Sequence, residues 1–135
     1  MQIIFSVNNG QDSIKIPIPP TEIDINSPQN NSTFNGVNGD LNLIGKMGLR
    51  SFSLDGFFPN QKYPWLSESA SYNAWEYVEF FERYRKAQIP FRCFIVDDDR
   101  QILNMPCTID DFNFKVKRNR DIGYTMMIRE YRFGG

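Results

Sequence analysis

Apolar and polar residues alternate with a period of two along most of this chain, with one interruption at helical period. Ile3, Phe5 and Val7 share one strand face, and Ile4 and Ser6 the other. Asn9-Gly10 is a hairpin signal, after which Ile14, Ile16 and Ile18 alternate with Lys15 and Pro17. Pro17, Pro19 and Pro20 cannot donate to a ladder, so this second strand belongs at a sheet edge. Ile23 and Ile25 predict a further short strand, and Leu41 and Leu43 another, with a break at Gly45 to Gly48. Phe52 and Leu54 lead a strand into Phe57-Phe58-Pro59.

The helical interruption runs from about Ala74 to Gln88. Ala74, Tyr77, Val78, Phe81 and Tyr84 form its apolar stripe, opposite Glu76, Glu79, Arg83 and Lys86. Asn73 and Ser71 are rival N-caps, and Glu76 fits a capping box with Asn73. Glu79–Arg83 and Glu82–Lys86 are spaced as i,i+4 pairs, and Pro90 stops the helix. Phe91, Cys93 and Ile95 then restart the alternation. Asp97 to Arg100 predict a turn, and Ile109 to Val116 a strand bulged near Asp110-Asp111. Lys117 to Asp121 make a charged hairpin tip, and 122–131 a last strand. Strands, one helix and strands again define an α+β fold, mostly an antiparallel β-sandwich or barrel with a flanking helix at about 74–88. Phe81 is the expected best-buried helix residue.

Two stretches stand outside this periodicity. The Asn- and Gly-rich segment 26–39 predicts a long surface loop, and 59–71 predicts a second one with two prolines. Loops of this length are usually functional, so both are expected interface elements.

Size and charge then narrow the function. At 135 residues and 15.8 kDa the chain is expected to form one domain. Mass scaling gives roughly 7,300 Å² of folded surface against about 23,000 Å² unfolded, enough burial for a core without staples. A net charge of −1 argues against nucleic acid and anionic lipid as partners. No apolar run approaches the ~20 residues that span a bilayer, and the N-terminus lacks a signal-peptide pattern. The chain has no histidine, which removes Ser-His-Asp and Cys-His nucleophiles, HExxH zinc sites and the usual neutral-pH proton carrier. Neither an enzyme nor a cofactor or metal site is expected. Asp97 to Asp99 read as a solvated turn, and Gly36-Val37-Asn38-Gly39 matches no phosphate-binding loop. Cys93 and Cys107 read as small buried hydrophobes on neighbouring strands, with a disulfide open to them only in an oxidising setting.

Aromatics are abundant, with twelve Phe, six Tyr and two Trp. Those falling in loops or at the terminus either mark a partner surface or cap the ends of a barrel. The candidate interface set is Phe34, Asn35, Asn38, Phe57, Phe58, Tyr63, Trp65, Arg118, Arg120 and Phe133.

The opening Phe5-Ser6-Val7-Asn8-Asn9-Gly10, then Ile16-Pro17-Ile18-Pro19-Pro20, resembles the start of XkdP-type LysM-bearing baseplate proteins of contractile phage tails. So do Gly39-Asp40-Leu41-Asn42-Leu43-Ile44-Gly45-Lys46, Phe57-Phe58-Pro59, Tyr63-Pro64, Tyr77-Val78-Glu79, Pro90-Phe91-Arg92, Tyr124 and Arg129-Glu130-Tyr131-Arg132-Phe133. More distantly, the order of elements resembles gpU-type tail proteins, the glue proteins of contractile bacteriocins. The resemblance implies a tail-tube-like fold and a structural role at the baseplate. There it would join the tail tube and the hub or spike to wedge proteins, as a hexameric ring assembled in the bacterial cytoplasm and carried in a virion or phage-tail-like particle. XkdP-type chains continue into a LysM module, whereas this sequence stops at Gly135. Either the LysM module is on another polypeptide, which makes a LysM protein one of the implied partners, or this sequence is one domain of a longer chain. The alternative outside this class is a solitary β-barrel whose loop aromatics grip a small ligand or glycan.

Overall fold

A computed structural model describes residues 1–66 and 70–133. Eight strands and one helix follow in the order β1 (Gln2–Val7), β2 (Asp12–Lys15), β3 (Ser32–Gly36), β4 (Gly39–Leu43), β5 (Ser51–Phe58), α1 (Ala74–Lys86), β6 (Phe91–Asp97), β7 (Arg100–Val116) and β8 (Ile122–Glu130). Six of these strands make one antiparallel sheet in the order β2-β1-β6-β7-β8-β5, and β3 pairs with β4 alone. The sheet is a half-barrel with one helix against it, the α+β class expected.

The strand periodicity decides which face is covered. Ile3 and Phe5, Cys93 and Ile95, Leu103, Met105 and Cys107, and Met126 and Ile128 all point to the helix side and are buried. α1 lays Ala74, Tyr77, Val78, Phe80 and Phe81 onto this surface. Phe81 is fully buried, with its ring centroid 5.3 Å from Phe5, 5.9 Å from Phe91 and 5.7 Å from Phe112. Tyr84 is only partly buried and bonds Asp12 Oδ2 at 2.7 Å, while Phe80, outside the expected stripe, is buried in its place. Asn73 is the N-cap, accepting the Trp75 N–H at 3.2 Å. Glu76 reaches the Ser71 hydroxyl at 2.7 Å. Glu82 pairs with Arg85 at 2.6 Å, three residues on, and not with the expected Lys86, and Arg85 Nε also donates to the Ile109 carbonyl at 3.0 Å.

β7 continues for 17 residues, well beyond the 109–116 expected, and its first half pairs with β6. The expected bulge lies between Ile109 and Asp111, leaving Asp110 as the extra residue. β2 lies at a sheet edge as expected, but it spans Asp12–Lys15 and not 14–18, so Pro17, Pro19 and Pro20 fall beyond the strand. Asp98 and Asp99 take positive φ values of 49° and 69° in the β6–β7 turn. Cys93 faces Met105 and Cys107 faces Phe91, so the two thiols are staggered; both are free and buried. Burial pushes both thiols up, Cys107 to about 12.

Two expectations are corrected. Ile23 and Ile25 form no strand; they pack partly buried against the core, and the ladder contact nearby is the Asn26–Ser51 bridge. The segment 26–39 is not simply a loop. It contains β3, and the Val37-Asn38 pair turns the chain directly into β4, with Gly36 opposite Gly39 at φ 120°.

Candidate interface: a ribbon arm and an aromatic sheet end

Residues 26–50 make a two-stranded ribbon that leaves the sheet where β5 begins. Its base is closed by Asn26 and Ser51, whose backbone groups exchange bonds of 2.8 and 3.0 Å. Gly48 N–H then donates to Pro28 O at 2.9 Å and Asn30 N–H to Lys46 O at 2.8 Å. Asn31 Oδ1 accepts the Gly45 N–H at 2.8 Å, and Gln29 Nε2 donates to Gly45 O at 3.1 Å. The two chains pinch so tightly here that a Cβ on Gly45 would lie 1.7 Å from Asn30 O. That closeness explains the glycine. The Asn and Gln residues that read as a loop are the side-chain cross-links of the ribbon.

The outer ribbon is amphipathic. Phe34 faces Leu41 and Ser32 faces Leu43, while Thr33–Asn42 and Asn35–Asp40 make the opposite face. Phe34 is 56% exposed, Leu41 55% and Leu43 48%, and Val37 and Asn38 at the tip are exposed. Ile44 and Met47 continue the exposed apolar series toward the base. The whole chain exposes 9116 Å², about 1,800 Å² above the roughly 7,300 Å² expected of its mass.

The arm is tied down at its root. Arg50 meets Glu130 through Nε at 3.2 Å, through a second nitrogen at 3.2 Å and through its backbone N–H at 3.0 Å. Those bonds hold the Glu130 carboxyl below the usual carboxylate range. Arg132 reaches back to the Gly48 carbonyl at 3.1 Å.

At the opposite end of β5 the chain gathers a second set. Phe57, Tyr63 and Trp65 cluster with centroids 5.0–6.3 Å apart, and Lys117 Nζ lies 5.1 Å over the Phe57 ring. Asp121 organises this end. Buried itself, it accepts the Asn60 N–H at 2.8 Å, the Tyr63 hydroxyl and the Asn119 amide at 3.3 Å. The bond to Asp121 raises the Tyr63 pKa. Arg118 and Arg120 sit exposed on the adjoining turn, Arg120 at φ 75°. Nearby on the helix side, Trp75 stands 6.2 Å from Phe114, and these two with Val116 are 37–56% exposed.

The candidate residues therefore divide. Phe34, Asn35 and Asn38 lie on the arm; Phe57, Tyr63, Trp65, Arg118 and Arg120 meet at the sheet end. Phe133 stands apart, 69% exposed against Tyr131. Phe58 is corrected: it is fully buried, stacked on Tyr77 at 4.8 Å and Tyr124 at 4.2 Å, because the strand alternation turns it inward where Phe57 turns out. Of the expected loop 59–71, residues 67–69 lie outside the described residues. Leu41, Leu43, Trp75, Phe114 and Val116 escaped sequence reasoning, since alternation and helical spacing mark core positions equally well. Among the described residues, no three His, Cys, Asp or Glu side chains are grouped to hold a metal ion. None of the described helices is long and apolar enough to cross a membrane.

The fold is similar to that of a solved phage-tail-like baseplate component. The match is to a chain of "Cryo-EM structure of the anti-feeding prophage (AFP) baseplate, 6-fold symmetrised", with a TM-score of 0.50 and 11% identity, covering 97% of this chain and 88% of that one. The structural neighbour thus falls in the class toward which the sequence resemblance pointed. In sequence, the chain is 29% identical over 133 residues to "Uncharacterized protein YqbP" of Bacillus subtilis (strain 168). That alignment covers 95% of this chain and 58% of the relative, so the chain spans little more than half of that protein's length. No protein-family model matches the chain.

Proposed function

We propose that this chain is a non-enzymatic structural subunit of a contractile-tail baseplate. It works in a hexameric ring that joins the end of the tail tube and the spike hub to surrounding wedge proteins. The observation that carries this reading is the ribbon arm, a two-stranded element whose apolar face of Phe34, Leu41 and Leu43 is about half exposed among the described residues. Such a ribbon is marginal alone and gains its stability from what it packs against. The likeness in fold to a baseplate chain supports the same role, as do the sequence segments shared with XkdP-type and gpU-type proteins.

The alternative, a barrel gripping a ligand, finds less support. The concave face that would hold a ligand is filled by α1 and by buried side chains such as Phe5, Phe58, Phe81 and Met126. The groove of about 680 Å³ lined by Ile14, Ile16, Pro17, Tyr77 and Phe80 lies at the surface, beside the β2 edge.

Deleting the gene from a strain that produces the particle tests the proposal. Baseplate-less tubes or sheaths, restored by the wild-type gene, are the expected result. Complete, contracting particles lacking this chain would refute it.

A further inference from the structure

We propose that Asn38, at the tip of the 26–50 ribbon, is a site of spontaneous backbone modification, where the Gly39 nitrogen attacks the Asn38 side-chain amide and the arm of an unassembled chain ages into an acidic form. The modification stands on the chemistry of the turn alone. Its arrest by assembly rests on the reading of the ribbon as a docking arm.

The reaction needs only water. A bond forms from Gly39 N to Asn38 Cγ, the bond from Cγ to Nδ2 breaks, and the amide leaves as ammonia carrying the proton of the Gly39 N–H. The product is a five-membered succinimide. Water then opens the ring on one of two sides. Cleavage between the nitrogen and Cγ leaves aspartate. Cleavage between the nitrogen and the Asn38 main-chain carbonyl carbon leaves isoaspartate, whose main chain runs through Cγ and is one atom longer. Either product adds a carboxylate two residues from Asp40, and isoaspartate also lengthens a turn that the chain makes in two residues.

A Cβ on the residue after the asparagine obstructs the ring, and glycine has none. The sequence offers three such steps, Asn9–Gly10, Asn35–Gly36 and Asn38–Gly39. The structure separates them. In the first, Gly10 N–H donates to Val7 O at 3.1 Å and Gln11 N–H to Asn8 O at 3.2 Å, and Val7 is buried, so bending this turn pulls on the core. The second lies inside β3, with Asn35 facing Asp40 and Gly36 facing Gly39. A Cβ on Gly36 would lie 3.0 Å from Gly39 O, which leaves no room for a ring. The third is free of both restraints. Val37 and Asn38 are exposed, and beyond its chain neighbours no atom of the described residues lies within 4 Å of the place a Cβ on Gly39 would take. The Phe34–Leu41 face beneath the turn is more than half exposed, so opening the Gly36–Gly39 pair uncovers little. An arm packed in a particle loses that freedom, and the reaction stops there.

The test ages the purified chain at neutral pH and follows its digest by mass spectrometry, reading the gain of about one dalton that loss of the amide produces. The Asn38 peptide should convert about tenfold or more faster than the Asn9 and Asn35 peptides, yielding both aspartate and isoaspartate. A synthetic peptide of residues 36–40 gives the unrestrained rate, and Asn38 in the chain should fall within about tenfold of it. Equal rates at the three sites, a faster Asn9, or an Asn38 that stays intact while the peptide converts would each overturn the proposal. Ageing the assembled particle separates the two parts. Asn38 should there be slower than in the free chain by about tenfold or more. The same rate in both would overturn arrest by assembly. A chain that is missing from the particle would refute the baseplate reading and leave the Asn38 chemistry standing.

Discussion

The six-stranded sheet and the 26–50 ribbon are both antiparallel β-structure, yet they are held by different forces. In the sheet, each inward side chain meets α1 or a neighbouring strand, and Phe81 alone lies among Phe5, Phe58, Phe80, Phe91 and Phe112. In the ribbon, cross-strand pairing and the polar cross-links of Gln29, Asn31 and Gly45 are present, but Phe34 and Leu41 stay more than half exposed. Hydrogen bonding to neighbours sets the conformation of both, while burial sets how firmly each is kept. Local stability should therefore fall steeply from β6–β7 to the ribbon tip.

The largest effect should come from the core. Phe81→Ala should cost about 3–5 kcal/mol in denaturant unfolding, a large share of the ~5–15 kcal/mol available to a domain. Asp121→Ala leaves the Asn60 N–H without its acceptor at the sheet end, and should cost about 1–3 kcal/mol by the same measurement. A Phe81→Ala protein as stable as the parent would contradict the difference in burial between sheet and ribbon.

The Arg50–Glu130 contact joins the two regions and should be sensitive to acid. Glu130 is held below its ordinary value of 4.5, so its contribution is complete above that value and is lost as pH falls through the lower folded one. Melting temperature followed from pH 6 downward should drop more steeply for the parent than for Glu130→Gln. Equal slopes would show that the carboxylate is not the anchor. The smallest effect belongs to the arm: Phe34→Ser should change the melting free energy by less than about 0.5 kcal/mol.

This difference in burial also explains what the sequence made legible. The helix and its cap, the edge position of β2, the bulge at Asp110 and the strands β1, β6 and β8 follow from periodicity and turn chemistry, because their side chains report a covered and an open face. In 32–36 the polar positions Ser32, Thr33 and Asn35 surround a lone Phe34, and the pairing partner is specified only by Leu41 and Leu43 across the turn. Propensity favoured a loop there, and tertiary pairing made a strand. The aromatic sheet end was legible as residues but not as a cluster, since Asp121 assembles it from segments about 60 residues apart. The run Phe57-Phe58-Pro59 does not itself show which ring is buried, because position in the strand and not residue type decides it.

The ribbon is expected to receive its missing layer from another molecule. Amide hydrogen exchange of residues 32–43, measured on the free chain and on the assembled particle, tests this most directly. The prediction is fast exchange in the free chain and strong protection in the particle, with β6 and β7 slow in both. Equal exchange of the ribbon in the two states, slow or fast, would contradict it.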